Sequence, residues 1–174
     1  MGKKNNRPIS KRIALLSIFL ALALILSYVE VLIPFSFGIP GIKLGLTNIL
    51  ILLALYLLGW REALLLEIAR IALSALLFGS VLSFLYSLMG GLLSFLVMYL
   101  LQKTNRLHVI TVSICGGVTH NLGQLIIAAV FVSDLKIFYY LPVLLLSGFL
   151  TGALIGIISR ELLRRMSVFF KKEL

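Results

Sequence analysis

Apolar residues fill this chain in six long runs, at about 11–33, 42–58, 62–79, 81–101, 108–132 and 137–160, with polar residues gathered in the short gaps between them. A helix rises 1.5 Å per residue, so about 20 apolar residues cross a hydrocarbon core of ~30 Å. The pattern predicts an all-α membrane protein with six transmembrane helices. They form one domain, 11–160, between a basic N-terminal tail, 1–10, and a basic C-terminal tail, 161–174. Most connectors are short, and several carry Pro, Gly, Asn or Asp, as turns do. The exception joins the first two runs. Pro34, Phe35, Ser36, Phe37, Gly38, Ile39, Pro40 and Gly41 make it apolar and aromatic, which predicts a loop that dips into the membrane or covers something.

Composition supports this reading. Of 174 residues, 61% are hydrophobic and only 13% are charged, against about 45–50% and 25% in soluble domains. The mean hydropathy is +1.14. Six spans use nearly all the length, which leaves no room for a soluble domain. The single cysteine, Cys115, lies inside an apolar run, so there is neither a disulfide framework nor a CxxC motif. Lys3, Lys4, Arg7, Lys11 and Arg12 before an apolar run, with Ala21-Leu22-Ala23 following, imitate a signal peptide. The run continues to Ile33 and five more follow it, so a retained first helix is expected.

The net charge of +10 is distributed at the ends of the apolar runs. With the N-terminus inside, thirteen Lys and Arg residues fall on the cytoplasmic side, only Lys43 and Lys136 fall outside, and Arg70 lies within a span. That asymmetry predicts a cell-membrane protein with both termini cytoplasmic. The basic residues are therefore read as topology and membrane-surface signals, and nucleic acid is not an expected partner.

Polar groups inside the spans are the candidates for function, because an unpaired polar group in hydrocarbon costs several kcal/mol. The fifth run holds Thr119, His120, Asn121, Leu122, Gly123 and Gln124 at its centre. His120 and Gln124 are i, i+4 and share a face, while Asn121 is rotated about 100° from His120. Arg70 lies ~13 Å into the third span, and Glu67 is one turn earlier on the same face. This pair is either an internal salt bridge or part of a cavity for an anionic or carbonyl-bearing ligand. Lys43, Thr47 and Asn48 open the second span, where backbone N–H groups favour anions, although Lys43 can equally extend to the headgroups. Tyr28 and Glu30, near the outer end of the first span, can equally be site residues or interface residues. Tyr86 precedes Gly90-Gly91, where a backbone can approach closely.

Small residues predict helix contacts. Gly148, Gly152 and Gly156 form an extended GxxxG face in the sixth span, and Ala14, Ser17 and Ala21 form a weaker stripe in the first. Whether these faces pack internally or on a partner helix is left open by the sequence. Several chemistries are excluded. There is no P-loop, and one Asp, Asp134, cannot supply the acidic clusters that hold Mg²⁺ on a diphosphate. No cofactor and no metal site is expected, since His120 has no second His or Cys at ligand spacing.

Three segments carry a family resemblance: residues 40–48, with the sequence PGIKLGLTN; residues 86–91, YSLMGG; and residues 120–124, HNLGQ. Over about 11–160 the chain resembles the Gx transporter family, also labelled heptaprenyl diphosphate synthase component I. That family is related to the substrate-binding S components of energy-coupling factor transporters. The resemblance implies an S-component-like bundle of six helices that binds a micronutrient-like small molecule near its outer face and is energised by a coupling subunit and ATPases. It assigns Pro34, Phe35, Phe37 and Pro40 to a lid. Lys43, Asn48, Glu67, Arg70, Tyr86, His120, Asn121 and Gln124 would then be substrate-binding candidates. S components often dock through an AxxxA face on the first helix, where this chain has Ser17-x-x-x-Ala21. The synthase label implies a different role, an accessory and non-catalytic membrane subunit beside a soluble prenyl synthase. A small secondary carrier, with three spans inverted against three, is a further possibility.

Overall fold

A computed structural model of the chain describes residues 9–32, 45–132 and 135–171. The proposed lid, with Pro34, Phe35, Phe37 and Pro40, and the candidate Lys43 lie outside the described residues. Six α-helices are present among those described: α1 (Ile9–Leu32), α2 (Asn48–Leu57), α3 (Trp60–Phe78), α4 (Val81–Lys103), α5 (Val109–Val132) and α6 (Leu141–Lys171), with a 3₁₀ turn at Leu135–Tyr140 before α6. No strand occurs among them.

The six predicted runs all appear as helices, with two differences of length. By length and composition, four helical stretches are suited to crossing a membrane: Ile9–Leu32, Val81–Lys103, Val109–Phe131 and Ile137–Met166. Helix α3 carries Arg61, Glu62, Glu67 and Arg70. Helix α2 has 10 residues and rises only ~15 Å. The apolar run at 42–58 read as one span because its break is conformational. Gly45 adopts φ of 78°, which L side chains rarely take, so the chain turns there before the helix starts. Helix α2 is apolar almost all round, and Asn48 and Leu50 through Leu55 are buried, as befits a helix enclosed by others. In the other direction, α6 runs to Lys171. The predicted C-terminal tail thus continues the last helix.

Contacts between particular residues fix the helix directions. Arg12 pairs with Glu62 at the starts of α1 and α3, and Tyr28 meets Phe78 edge-on at their far ends, with ring centroids 5.5 Å apart. Trp60, at the start of α3, faces Tyr99 near the end of α4 at 5.8 Å. Gly116 of α5 abuts Ser94 and Met98 of α4, and Gly117 abuts Gly148 of α6. The helices therefore alternate in direction from α3 onward. The starts of α1, α3 and α5 share one end with the finishes of α4 and α6. Lys11, Arg12, Arg61, Lys103, Arg106, Arg160, Arg164 and Arg165 all belong to that end.

The glycine face of α6 packs inward. A Cβ at Gly152 would stand 2.8 Å from Ile114 Cα, and one at Gly156 would stand 2.8 Å from Ile110 Cα. Gly148, Gly152 and Gly156 thus let α6 lie against α5 at backbone distance, which answers for this face the question left open by the sequence. Ser17 and Ala21 are exposed on α1.

Two apolar clusters fill the bundle. One, toward the basic end, joins Phe19, Leu50 to Leu55, Leu66, Phe95, Met98, Val112 and Ile155. The other, toward the opposite end, joins Tyr86, Leu125, Ala128, Ile137 and Leu144. On α3, α4 and α5, the chain between these clusters carries Glu67, Arg70, Gly90, Gly91, His120 and Gln124.

Candidate functional site

The polar layer is assembled around the diglycine of α4. Helical periodicity sets Glu67 and Arg70 on one face of α3, as their spacing predicts. Arg70 Nε donates to Glu67 Oε2 at 2.9 Å, and Nη2 donates to Oε1 at 2.6 Å. Both side chains are buried, at 2% and 0% exposure. Gly91 makes room for this pair, since any Cβ there would overlap Glu67 Oε1. A guanidinium has five N–H donors. Arg70 uses two among the described residues, both on Glu67.

Gly90 makes the equivalent room for α5. A Cβ on it would stand 2.8 Å from His120 O, 3.1 Å from Gln124 Cγ and 3.2 Å from His120 Cε1. The opposite edge of the imidazole touches the turn into α2, where a Cβ on Gly45 would meet Asn48 Nδ2 at 3.1 Å and His120 Cδ2 at 3.2 Å. The histidine ring is thus held between two glycines, one from α4 and one from the α2 turn. Gln124 Nε2 stands 3.0 Å from His120 Nε2. An amide nitrogen only donates, so the ring nitrogen accepts in this arrangement.

A third contact ties in α1. The backbone N–H of Leu46 donates to Glu30 Oε1 at 2.8 Å. Of the two readings open for Glu30 in the sequence, interface or site, the structure favours the inner one: its carboxylate occupies the turn at the start of α2, where backbone N–H groups favour a carboxylate. The signal available in the sequence was the cost of a carboxylate in an apolar helix, which requires a donor nearby.

The remaining candidates separate into three groups. Asn48 is buried beside His120 at the α2 turn, with Thr47 buried before it. The Thr47 hydroxyl has no hydrogen-bond partner among the described residues. Asn121 faces α6 and donates through Nδ2 to Leu144 O at 2.8 Å. Its 100° rotation from His120 produces this separation. Tyr86 packs in the apolar cluster with Leu125, Ala128 and Leu144. The structure therefore brings Glu67 and Arg70 together, and His120, Gln124 and Asn48 together, with α4 glycines against both groups. No cluster of three metal-ligating side chains occurs among the described residues.

A family model described as heptaprenyl diphosphate synthase component I matches residues 19–162. No curated protein and no solved structure matches the chain.

Proposed function

The chain belongs to the heptaprenyl diphosphate synthase component I family, and from that membership we propose that it is the non-catalytic membrane subunit of a long-chain prenyl diphosphate synthase. The family match, which covers all six helices in whole or in part, carries this reading. The chemistry of the chain supports the non-catalytic part. Ionising and transferring a prenyl diphosphate requires metal ions bridging its oxygens, held by several carboxylates. The interior of this bundle offers Glu30 and Glu67, the one bonded to Leu46 N and the other to Arg70. The catalytic acids then belong to a soluble, Asp-rich partner, which the basic end of the bundle attracts by charge. Six spans with both termini cytoplasmic would put that end on the partner's side. Deleting the chain in its host should deplete long-chain isoprenoid quinones while leaving short-chain prenyl diphosphates intact. Unchanged quinone content and chain length would refute the assignment.

A second reading is favoured by one observation. The buried Thr47 hydroxyl has no hydrogen bond among the described residues, and the two hydrogen bonds of the buried Arg70 guanidinium described above both go to Glu67, which leaves capacity for a ligand in this layer. On this reading the chain is the substrate-binding subunit of a small-molecule importer, energised by a coupling subunit and ATPases. Lys43, Asn48, Arg70, His120 and Gln124 would face the ligand, and residues 34–41 would cover it. Purified protein should then show a rise in melting temperature with a carbonyl-rich metabolite, and Arg70→Ala should abolish that rise.

A further inference from the structure

Helix α6 changes character along one line of its surface. Leu146, Leu150 and Ile157 are 60%, 58% and 57% exposed, and at 100° per residue Arg160 and Arg164 continue the same line within an arc of about 80°. Arg160 lies ~29 Å along the helix axis from Leu141, at the far limit of a ~30 Å hydrocarbon core. An outward apolar stripe thus ends in two arginines one turn apart. Their position is fixed, because Leu163 and Met166 on the other side of the helix pack against the apolar core.

The three arginines here are not equivalent. Arg165 is hydrogen-bonded through Nε to Glu161 at 2.8 Å. Arg164 is 80% exposed and stands 3.6 Å from Glu161. Arg160 is exposed and makes no ion pair among the described residues. Lys103 at the end of α4 and Arg106 and His108 in the connector to α5 share this end of the bundle, since Gly156 of α6 abuts Ile110.

We propose that Arg160 and Arg164 bind the diphosphate of a long-chain prenyl diphosphate whose hydrocarbon chain lies in the bilayer along Leu146, Leu150 and Ile157. This site rests on the synthase-subunit reading and names its ligand. Charge selects the location. Among the described residues of the intramembrane layer the one cation, Arg70, is taken up by Glu67, and Glu30 adds a second carboxylate, whereas the described α6 end carries Arg160, Arg164 and Arg165 against the single carboxylate of Glu161 and stays net basic. Geometry selects the ligand class. Side chains at i, i+4 start from Cβ atoms about 6 Å apart, so both guanidinium forks can reach one diphosphate and pair with its oxygens, while the adjoining stripe suits an apolar tail continuous with the anion. A free diphosphate satisfies only the first condition, and a neutral prenol only the second. The site would take a newly made amphiphilic product from a soluble enzyme and leave it in the membrane.

The experiment uses the full chain in nanodiscs of zwitterionic lipid, titrated with radiolabelled heptaprenyl diphosphate. Saturable binding is expected, weakened about tenfold or more in R160Q/R164Q, on the scale of one lost charged hydrogen bond or more. Inorganic diphosphate, heptaprenol and phosphatidylglycerol at equal concentration should displace little of it. An unchanged affinity in R160Q/R164Q would overturn the proposal. So would equal displacement by phosphatidylglycerol, which would make the arginines an ordinary anionic-lipid contact. Both side chains are exposed, so the variant should melt with the parent protein, and R165Q serves as the neighbouring control with unchanged binding. Synthase association measured on the same nanodiscs reads the parent proposal separately. If association persists while binding fails, only the α6 site is lost; if association is absent, the subunit role itself fails.

Discussion

At the scale of single residues, the polar layer is built from pairs: Arg70 with Glu67, His120 with Gln124, and Glu30 with the Leu46 N–H. Removing one member of a buried ion pair leaves the other uncompensated and costs about 3–5 kcal/mol, whereas replacing both with apolar residues is often neutral or better. Arg70→Ala should therefore lower the melting temperature in detergent steeply, and Glu67→Leu combined with Arg70→Met should recover most of the loss. An Arg70→Ala variant that melts with the parent would refute the buried pair. Glu30 tests the α1 contact in the same way. Glu30→Ala removes the acceptor for Leu46 N–H, worth about 1.5–3 kcal/mol for a charged acceptor, and hydrogen exchange at Leu46 should accelerate accordingly. Much of this layer was legible in the sequence. The i, i+3 spacing of Glu67 and Arg70 and the i, i+4 spacing of His120 and Gln124 fix which side chains share a face, and both pairs meet. Contacts between helices were not legible. Nothing local reveals that Glu30 reaches the turn before α2, or that Asn121 leaves its neighbours for Leu144.

At the scale of helices, glycine decides how closely α4, α5 and α6 approach. A Cβ on Gly123 would stand 2.8 Å from Gly90 Cα, and one on Gly152 would stand 2.8 Å from Ser113 O. Because these neighbours are backbone, added bulk forces the helices apart. Gly152→Val should cost about 1–3 kcal/mol or more by overpacking, read as thermal destabilisation. The same substitution at exposed Ala21 on α1 should change stability little. Helix boundaries show what hydropathy carries and what it omits. The long runs became α1, α4 and α5 with ends shifted by about two residues, since apolar length sets a span. Helix α2 proved shorter because the positive φ at Gly45 breaks an apolar stretch without changing its composition. Helix α6 proved longer because Glu161, Leu162, Leu163, Arg164, Arg165 and Met166 are good helix formers even though hydropathy falls beyond residue 160.

At the scale of the whole molecule, the bundle is asymmetric in charge. One end gathers Lys11, Arg12, Arg61, Lys103, Arg160, Arg164 and Arg165, and the interior separates two apolar clusters by a polar layer that holds Arg70. That asymmetry predicts a single orientation. Single cysteines introduced at Lys11 and Arg164 in a Cys115→Ser background should both be protected from a membrane-impermeant thiol reagent in intact cells, while one at Tyr139, which is exposed before α6, should be labelled. The same asymmetry gives a soluble partner one face to meet. The proposed role as the membrane subunit of a prenyl diphosphate synthase can be read by purifying the tagged chain from gently solubilised membranes of its host. A soluble, Asp-rich prenyl synthase should co-purify in fixed stoichiometry and be lost at high salt, because the basic end supplies the attraction. Recovery of a transmembrane coupling subunit with ATPases instead, and no synthase, would contradict it.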